Sequence, residues 1–201
     1  MIVPNARFAT DNEWDIPTLD ITMQARYVDM PFVAWGSRKR SSEHCGTYHF
    51  YVDDYRFTAL WKDPSKLLKS RCVAAVEPNI TNSLDSPKAY VLWSIYQKRW
   101  MARYWQSCGV RIWVDLNVPT EFEDLLFLGV PKQWRAYMTH GYSDRLDATV
   151  NEYCAACTHH GNDDILFTVY GGGHEVKQLC NDHGWVWVAE RMDRVQGRII
   201  A

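Results

Sequence analysis

Polar residues that could carry out acid–base or metal chemistry stand at the ends of five short apolar runs. These end residues are Glu77, Asp115, His140, Tyr170 and Glu190, and each run has the length and apolar character of a buried β-strand. Parallel strands in α/β proteins collect ligand-binding groups at their carboxyl ends. The spacing therefore predicts that these side chains share one edge of a sheet and form a binding or active site there.

Glu77, Asp115 and His140 are the catalytic candidates in this set. Glu77 and Asp115 follow consecutive strands, so we expect their side chains to be neighbours. Two nearby carboxyl groups can divide acid and base roles, or they can hold Mg²⁺, and His140 would assist as a base. The structural alternative is that each carboxylate caps the next helix or pairs with a buried arginine. Tyr170 and Glu190 are more typical of packing positions.

A glycine loop joins the run that ends at Tyr170 to the start of a helix. It consists of Gly171, Gly172 and Gly173 followed by His174. Backbone N–H groups and the helix dipole favour anions at such a point, so the loop is a candidate phosphate-binding site. It matches neither the Walker nor the dinucleotide-binding motif. The alternative is a tight turn that requires positive φ angles.

Basic residues occur in two places that could contact nucleic acid. Arg99 and Arg103 lie one turn apart on a long predicted helix and are interleaved with aromatic residues, an arrangement that could grip phosphates and stack bases. Arg38, Lys39 and Arg40 lie in a polar loop. The alternative for the helix is an amphipathic arrangement with its aromatic side in the core and its arginines in solvent.

Three cysteines and one histidine follow a spacing that is typical of zinc ligands. Cys154 and Cys157 form a C-x₂-C pair, and Cys180 with His183 forms a C-x₂-H pair. Helical periodicity favours another interpretation, in which the cysteines are small buried residues on apolar helix faces that cover the sheet. We expect the second arrangement.

Strands that alternate with helices must position these groups. Seven strands are predicted, over residues 31–36, 48–54, 72–79, 111–117, 134–141, 165–170 and 185–191. A further edge strand is possible near residues 20–26. Long helices are predicted between Ser86 and Gly109, over residues 143–160 and over residues 174–183. This alternation requires a mainly parallel sheet. The predicted fold is α/β, a compact or irregular (β/α) barrel-like domain over residues 31–201, preceded by an irregular segment over residues 1–30.

Composition limits the classes of protein to which the chain can belong. The 201 residues are 47% hydrophobic and carry a net charge of −2, which excludes a strongly cationic DNA-coating protein. The start of the sequence lacks the basic and apolar regions of a signal peptide, and no apolar run approaches the ~18 residues of a membrane span. We therefore expect a cytoplasmic protein with reduced thiols and no membrane partner.

Three segments carry a resemblance to a known family. The segments HFYVDDYRF, PKAYVLWSIYQKRWMARYWQ and GVRIWVDLNV resemble a family of phage and mobile-element proteins known only as a domain of unknown function. The resemblance covers about residues 48–175. It implies a phage or mobile-element origin and therefore the cytoplasm of a host cell. The order of the strand ends also resembles, at the level of fold, the barrel of tRNA-guanine transglycosylases and their phage DNA-modifying relatives.

These observations support one leading hypothesis and two alternatives. The leading hypothesis is a nucleic-acid-processing enzyme, a hydrolase or glycosyltransferase, which performs base exchange or phosphodiester chemistry and uses Mg²⁺ as a candidate cofactor. The second is a non-catalytic module that binds nucleic acid or a host protein through the basic helix and loop. The third is an inhibitor of host defence, which would present a partner-dependent surface and no catalytic cleft.

Overall fold

Parallel strands dominate the structure. The computed structural model describes residues 8–37 and 46–190, together with the backbone of residues 197–199. The strands in this part of the chain are β1 (Val28–Met30), β2 (Phe32–Ala34), β3 (Thr47–His49), β4 (Ala74–Val76), β5 (Arg111–Asp115), β6 (Ala136–His140), β7 (Leu166–Tyr170), β8 (Val186–Val188) and β9 (Gly197–Ile199). Strands β2 to β8 form one sheet in chain order, and every neighbouring pair is parallel.

Helices connect the strands of this sheet. The α-helices are α1 (Thr58–Lys62), α2 (Lys88–Ser107), α3 (Glu123–Leu126), α4 (Leu146–His160) and α5 (Gly173–His183). Short 3-10 helices cover Ile21–Met23, Asp54–Arg56, Pro64–Ser70 and Thr120–Phe122. Helix α2 connects β4 to β5, α4 connects β6 to β7, and α5 connects β7 to β8. The predicted α/β class and barrel-like parallel sheet are thus confirmed.

The sheet curls into a half-barrel. Strands β3 and β7 are separated by three other strands in the sheet. Even so, the ring of His49 at the end of β3 lies 4.5 Å from the ring of Tyr170 at the end of β7, and Phe32 of β2 lies 5.3 Å from Tyr170. A flat sheet would hold these rings far apart, since neighbouring strands are about 4.8 Å apart. In the described residues the edge strands β2 and β8 are not paired with each other, so the barrel is open.

Strand register places three of the residues singled out from the sequence, Asp115, His140 and Tyr170, on the concave face of this half-barrel. Asp115 pairs with Met138, which lies two residues before His140, and His140 pairs with Tyr170. Side chains at alternate positions of a strand, and at paired positions of neighbouring strands, point to the same face. Asp115, His140 and Tyr170 therefore converge at the carboxyl end of the concave face, where the ring contacts also place His49.

The core explains why the strand sequences are almost continuously apolar. Both faces of the sheet are covered, so that Ala74, Ala75 and Val76 of β4 are all fully buried. On the helix side, the Trp105 ring of α2 stacks on Phe50 at 5.6 Å. In the described ranges, no helix has both the length and the hydropathy that crossing a membrane requires.

The N-terminal region differs from the prediction. The edge strand expected near residues 20–26 is instead a 3-10 helix over Ile21–Met23, with a single parallel bridge between Gln24 and Ile112. An antiparallel pair that was not predicted joins β1 to β9, with Val28 opposite Ile199. These strands are only three residues long, too short to show a periodicity in the sequence.

Candidate active site at the strand ends

Glu77 and Asp115 are neighbours at the ends of β4 and β5. The backbone N–H of Asp115 donates a hydrogen bond to Glu77 Oε2 at 3.3 Å, and both residues are fully buried. The contact joins the Glu77 carboxylate to the backbone of Asp115, whereas the two carboxyl groups have different partners, so a shared role for them stays a prediction. Their complete burial, however, means that a substrate cannot reach either side chain without a rearrangement.

Arg99 forms a buried ion pair with the Glu77 carboxylate. Its Nη1 donates to Glu77 Oε1, its Nη2 donates to the carbonyl of Leu126 at 2.7 Å, and its Nε donates to the carbonyl of Leu128 at 3.0 Å. The Arg99 side chain is 0% exposed. The prediction that Arg99 lies on an exposed, phosphate-gripping helix face is therefore wrong. The alternative of a solvated arginine is also wrong, since the guanidinium completes a buried ion pair instead.

The other predicted basic contacts have different outcomes. Arg103 is half-buried, and its guanidinium carbon lies 5.2 Å from the centre of the Phe8 ring. This contact ties α2 to the N-terminal segment, and a role of Arg103 in binding nucleic acid stays a prediction. Arg38, Lys39 and Arg40 lie outside the described residues.

Lys98 neutralises Asp115 in the same way. Its ammonium group donates to the backbone carbonyl of Asp115 at 2.8 Å and lies 3.2 Å from Asp115 Oδ2. The N–H of Asn117 approaches Asp115 Oδ1 at 3.4 Å. Asp115 is thus a buried, paired anion at the floor of the site, suited to acting on its neighbours through its charge.

The carboxylate pair does not fit a Mg²⁺ site. Mg²⁺ requires several free oxygen ligands in octahedral geometry, whereas Arg99 and Lys98 already contact Glu77 and Asp115. Their positive charges would repel a divalent cation at this point. Nowhere in the described part of the chain do three or more His, Cys, Asp or Glu side chains form a group that could hold a metal ion.

The cysteine and histidine set does not assemble into such a group either. Cys180 is buried, whereas Cys154 and His183 are exposed and Cys157 is half-buried. Our expectation that the cysteines of α4 face the sheet is wrong for Cys154. The inward positions of α4 are instead those of Thr149, Ala156 and His159.

His140 lies at the centre of an aromatic cluster on the concave face. Its ring centre is 4.5 Å from Tyr142, 5.4 Å from Tyr51 and 5.6 Å from Tyr170. Burial lowers the pKa of His140, and the carboxylates of Glu190 and Asp115 oppose part of this shift. A neutral imidazole at neutral pH can accept a proton, as a general base requires.

His49 is buried more deeply in the same cluster. Burial, reinforced by His140, lowers the pKa of His49 to about 3, whereas an unfolded chain has a value near 6.5. Because the folded state binds this proton less tightly, we expect His49 to destabilise the fold as the pH falls from about 6.5 towards 3. Titration of the imidazole by NMR tests this, and a midpoint near 6.5 would contradict it. His49→Gln should weaken the loss of stability in acid.

The glycine loop has the positive φ angles that the tight-turn alternative requires. Gly171, Gly172 and Gly173 have φ angles of +74°, +75° and +72°, which favour glycine over other residues. A Cβ atom on Gly172 would lie 2.4 Å from Val176 Cγ2 and 2.9 Å from the backbone of Gly141, so no side chain fits there. The alternative of a tight turn that requires positive φ angles therefore explains why these residues are glycines. A phosphate-binding role of the loop and of the exposed His174 stays a prediction.

A cavity of about 610 Å³ opens beside the cluster. It is enclosed by the segments that follow β4, β5 and β6. Its lining includes the amides of Asn79 and Asn117, the aromatic ring of Tyr142, the guanidinium of Arg145 and the carboxyl group of Glu152. Most of these groups are uncharged and can form hydrogen bonds. The cavity therefore suits a polar organic ligand.

Glu152 is the functional candidate that the sequence reasoning missed. Burial raises the pKa of Glu152 to about 8, and the Asp115 carboxylate contributes to this shift. A carboxyl group that stays protonated at neutral pH can act as a general acid. The spacing of Thr149, Glu152, Ala156 and His159 marks one helical face, so a search for polar residues on that face could have identified it.

Comparison with known proteins identifies relatives among phage proteins. The family model described as a domain of unknown function (DUF4417) matches residues 8–150, a range that includes Glu77, Asp115 and His140 and ends shortly before Glu152. It begins well before the range expected from the sequence and ends before Gly171.

Two relatives are Gene 1 proteins of mycobacteriophages. The protein of Mycobacterium phage D29 is 33% identical over 135 residues, which are 62% of this chain and 47% of that protein. The protein of Mycobacterium phage L5 is 33% identical over 134 residues, which are 62% of this chain and 56% of that protein. The chain thus spans about half the length of these curated relatives. No solved structure matches it. Since the family model covers most of the chain, the protein belongs to the DUF4417 family.

Proposed function

We propose that the protein is a nucleic-acid-processing enzyme of phage or mobile-element origin that removes or exchanges bases at the carboxyl end of the half-barrel. The observation that carries this proposal is the carboxyl group of Glu152, which lines a polar cavity and whose pKa burial raises to about 8. The similarity to mycobacteriophage proteins supports the proposed origin.

The chemistry of base removal suits the charges in this site. Breaking an N-glycosidic bond leaves negative charge on the departing base and positive charge on the sugar, as in the oxocarbenium-like transition states of glycosidases. In the proposed reaction Glu152 donates its proton to the leaving base. The resulting carboxylate, or the neutral imidazole of His140, then accepts the proton of the incoming water or base. Atoms and charges balance without a cofactor in this scheme.

Asp115 would act as a positioning residue rather than touch the substrate. It is fully buried against Lys98, but its charge influences Tyr51, His140 and Glu152. For Glu152, it raises the pKa that keeps the carboxyl group protonated. Glu77 lies on the far side of this arrangement, held by Arg99, and we assign it a structural role.

Charge distribution favours base exchange over phosphodiester chemistry. Phosphoryl chemistry is assisted by cations that neutralise the phosphate. The cavity presents one guanidinium, that of Arg145, whose neighbours in the lining include the acidic residues Asp85 and Glu121. The guanidinium carbon of Arg145 lies over the Tyr142 ring, 4.2 Å from its centre, so a base at this position would stack on the guanidinium plane, which the aromatic ring supports from below.

An assay for base release and exchange tests the proposal. The protein would be incubated with single-stranded DNA or RNA oligonucleotides, with and without free bases, and the products identified by mass spectrometry. We expect base loss or incorporation with the wild-type protein and none with Glu152→Gln. Asp147→Asn, which removes an exposed carboxylate on the same helix outside the cavity lining, serves as the matched control and should retain activity. Oligonucleotide binding without turnover by the wild-type protein would instead support a non-catalytic binding module.

A further inference from the structure

Exposed aromatic and apolar side chains are concentrated beside the cavity. In the described part of the chain six large hydrophobic side chains are exposed, and four of them lie on the segments 54–61 and 81–96: Tyr55, Leu84, Tyr90 and Trp93. Leu84 lines the cavity. Thr81, another lining residue, donates to the Asp54 carboxylate through its backbone N–H at 3.2 Å and its hydroxyl at 2.9 Å, so Tyr55 also lies near the cavity. Exposed apolar area that is concentrated in this way is typical of a binding surface.

The exposed rings belong to an aromatic strip that runs between α1 and α2. This strip consists of Tyr55, Trp61, Tyr90, Trp93 and Tyr96. The Trp61 ring of α1 makes edge-to-face contacts with two rings of the strip on α2, with ring centres 5.4 Å from Trp93 and 6.1 Å from Tyr96. Trp93 stacks on Tyr96 at 5.6 Å and is still 39% exposed, so part of its ring remains accessible to a ligand. These contacts hold the rings in place, as a platform for stacking requires.

Basic side chains follow the aromatic strip along α1 and the 3-10 helix after it. From Thr58 to Arg71 the chain carries four basic residues and one acidic residue, a local charge of +3 in a protein whose net charge is −2. The basic residues are all exposed: Lys62, Lys66, Lys69 and Arg71. The acidic residue, Asp63, is half-buried and accepts a hydrogen bond from the Ser65 hydroxyl. The segment lies beside α2, since the Trp105 indole N–H donates to the Pro64 carbonyl at 2.9 Å.

The charges select the kind of partner. Near the cavity they largely cancel, because Arg56 Nε lies 3.7 Å from Asp53 Oδ2. The excess of positive charge is therefore on the segment from Lys62 to Arg71, and it complements a partner that carries repeated negative charges. Such a partner must also present flat apolar groups to the exposed rings of the strip.

We propose that this surface binds single-stranded nucleic acid and leads the strand to the cavity, with bases stacked on the aromatic strip and phosphates along the exposed basic residues. Proteins that bind single strands combine aromatic side chains, on which bases stack, with a basic groove that follows the backbone. A duplex keeps its bases paired and stacked inside, so it cannot use the strip. The choice of a nucleic acid over other polyanions rests on the proposed function, in which the reacting base must be free of a second strand.

Strand binding can be measured without turnover. The probe is a fluorescein-labelled deoxythymidine strand of about 12 nucleotides, within the usual site sizes of single-strand-binding folds, and the readout is fluorescence anisotropy. We expect Trp93→Ala and Tyr55→Ala each to weaken binding at least about fivefold, as the loss of one stacked base implies. Tyr55 is 73% exposed, so its replacement tests the surface even if Trp93→Ala perturbs the packing of Trp61. Trp14→Ala removes a tryptophan that is 50% exposed on the N-terminal segment, outside the strip, and should bind like the wild type.

The basic residues are tested by the dependence of binding on salt. The double variant Lys62→Ala with Lys66→Ala should bind more weakly at low salt. Its slope of log Kd against log salt concentration should be smaller by about 0.7 for each phosphate contact that is lost. An unchanged slope would show that these lysines do not contact the strand.

The outcomes for this surface are distinct from those for the proposed reaction. Strand binding should persist in Glu152→Gln, whose loss of turnover tests only the reaction, and binding that depends on Trp93 and Tyr55 would support the surface even if no base is exchanged. Three results would overturn the inference even if base exchange is observed. They are no binding of the strand, wild-type affinity in both aromatic variants, and equal binding of duplex DNA or polyglutamate. A wild-type dimer that Trp93→Ala dissociates would assign the surface to a second copy of the chain and overturn the inference as well.

Discussion

Replacing Arg99 with alanine is expected to lower the free energy of unfolding by about 3–5 kcal/mol, as for other buried ion pairs that lose one partner. The substitution leaves the Glu77 carboxylate fully buried without its counter-charge. It also removes the donors that satisfy the carbonyls of Leu126 and Leu128. Urea denaturation followed by circular dichroism measures the change. For a domain of this size, so large a loss is a substantial part of the total stability.

Two control variants separate the effect of the unpaired Glu77 charge from the effect of removing an arginine side chain. Arg103→Ala, one turn further along α2, removes a half-buried contact with Phe8 and should cost no more than about 1 kcal/mol. The double variant Arg99→Leu with Glu77→Leu leaves no unpaired charge, so it should be destabilised less than Arg99→Ala. An Arg99→Ala protein within 1 kcal/mol of the wild type would show that Glu77 finds another partner or takes up a proton.

The second large effect concerns Glu152, whose replacement by glutamine is expected to reduce turnover by about 10²–10⁴-fold, the usual contribution of a general acid. Glutamine preserves the shape of the side chain but cannot donate a proton with comparable acidity. We expect the wild-type rate to fall as the pH rises through about 8, where Glu152 loses its proton. Rates measured from pH 5 to 10 with single-stranded substrate would show this limb. An unchanged rate in Glu152→Gln would remove it from the mechanism.

The same variant should alter the dependence of stability on pH. The folded state holds the Glu152 proton more tightly than the unfolded chain, in which a glutamate titrates near 4.3. Stability is therefore complete below about pH 4 and decreases as the pH rises towards 8, by at most about 1.4 kcal/mol per pH unit. Glu152→Gln should lack this decrease and be more stable than the wild type at pH 8. A gain in stability with a loss of activity is typical of functional residues.

Much of the fold could be predicted because long apolar runs carry their own signal. Strands β5 and β6 and the helix between Lys88 and Ser107 agree closely with their periodicity and glycine boundaries. Strand ends also indicated where polar groups meet, and Asp115 and His140 do lie on one concave face. The partners of these groups could not be predicted, because the burial of Arg99 depends on contacts from residues 27 and 29 positions away along the chain.

Glu152 illustrates a different limit of the sequence. Its raised pKa arises from desolvation of a half-buried side chain in the folded protein, and the residue type alone does not distinguish such a glutamate from the solvated ones that most helices carry. The sequence pattern predicts that Cys154 lies on the face of α4 that covers the sheet. In the structure this face is shifted by about two positions along the helix, so Glu152 was not among the predicted site residues. The spacing that places Glu152 on the same helical face as Thr149 and His159 is the signal from which it could have been predicted.

The two ion pairs have a consequence for how a substrate could enter. Lys98 and Arg99 are consecutive residues of α2, and they hold the ends of β5 and β4, respectively. Sliding α2 would break both pairs at once, so the floor of the site should be static on the timescale of catalysis. Access must then come from the segments over residues 79–85 and 117–121, which supply most of the cavity lining and whose residues 83–85, 120 and 121 are exposed. In amide hydrogen exchange, these segments should exchange quickly while the amide of Asp115 remains protected until the whole domain unfolds.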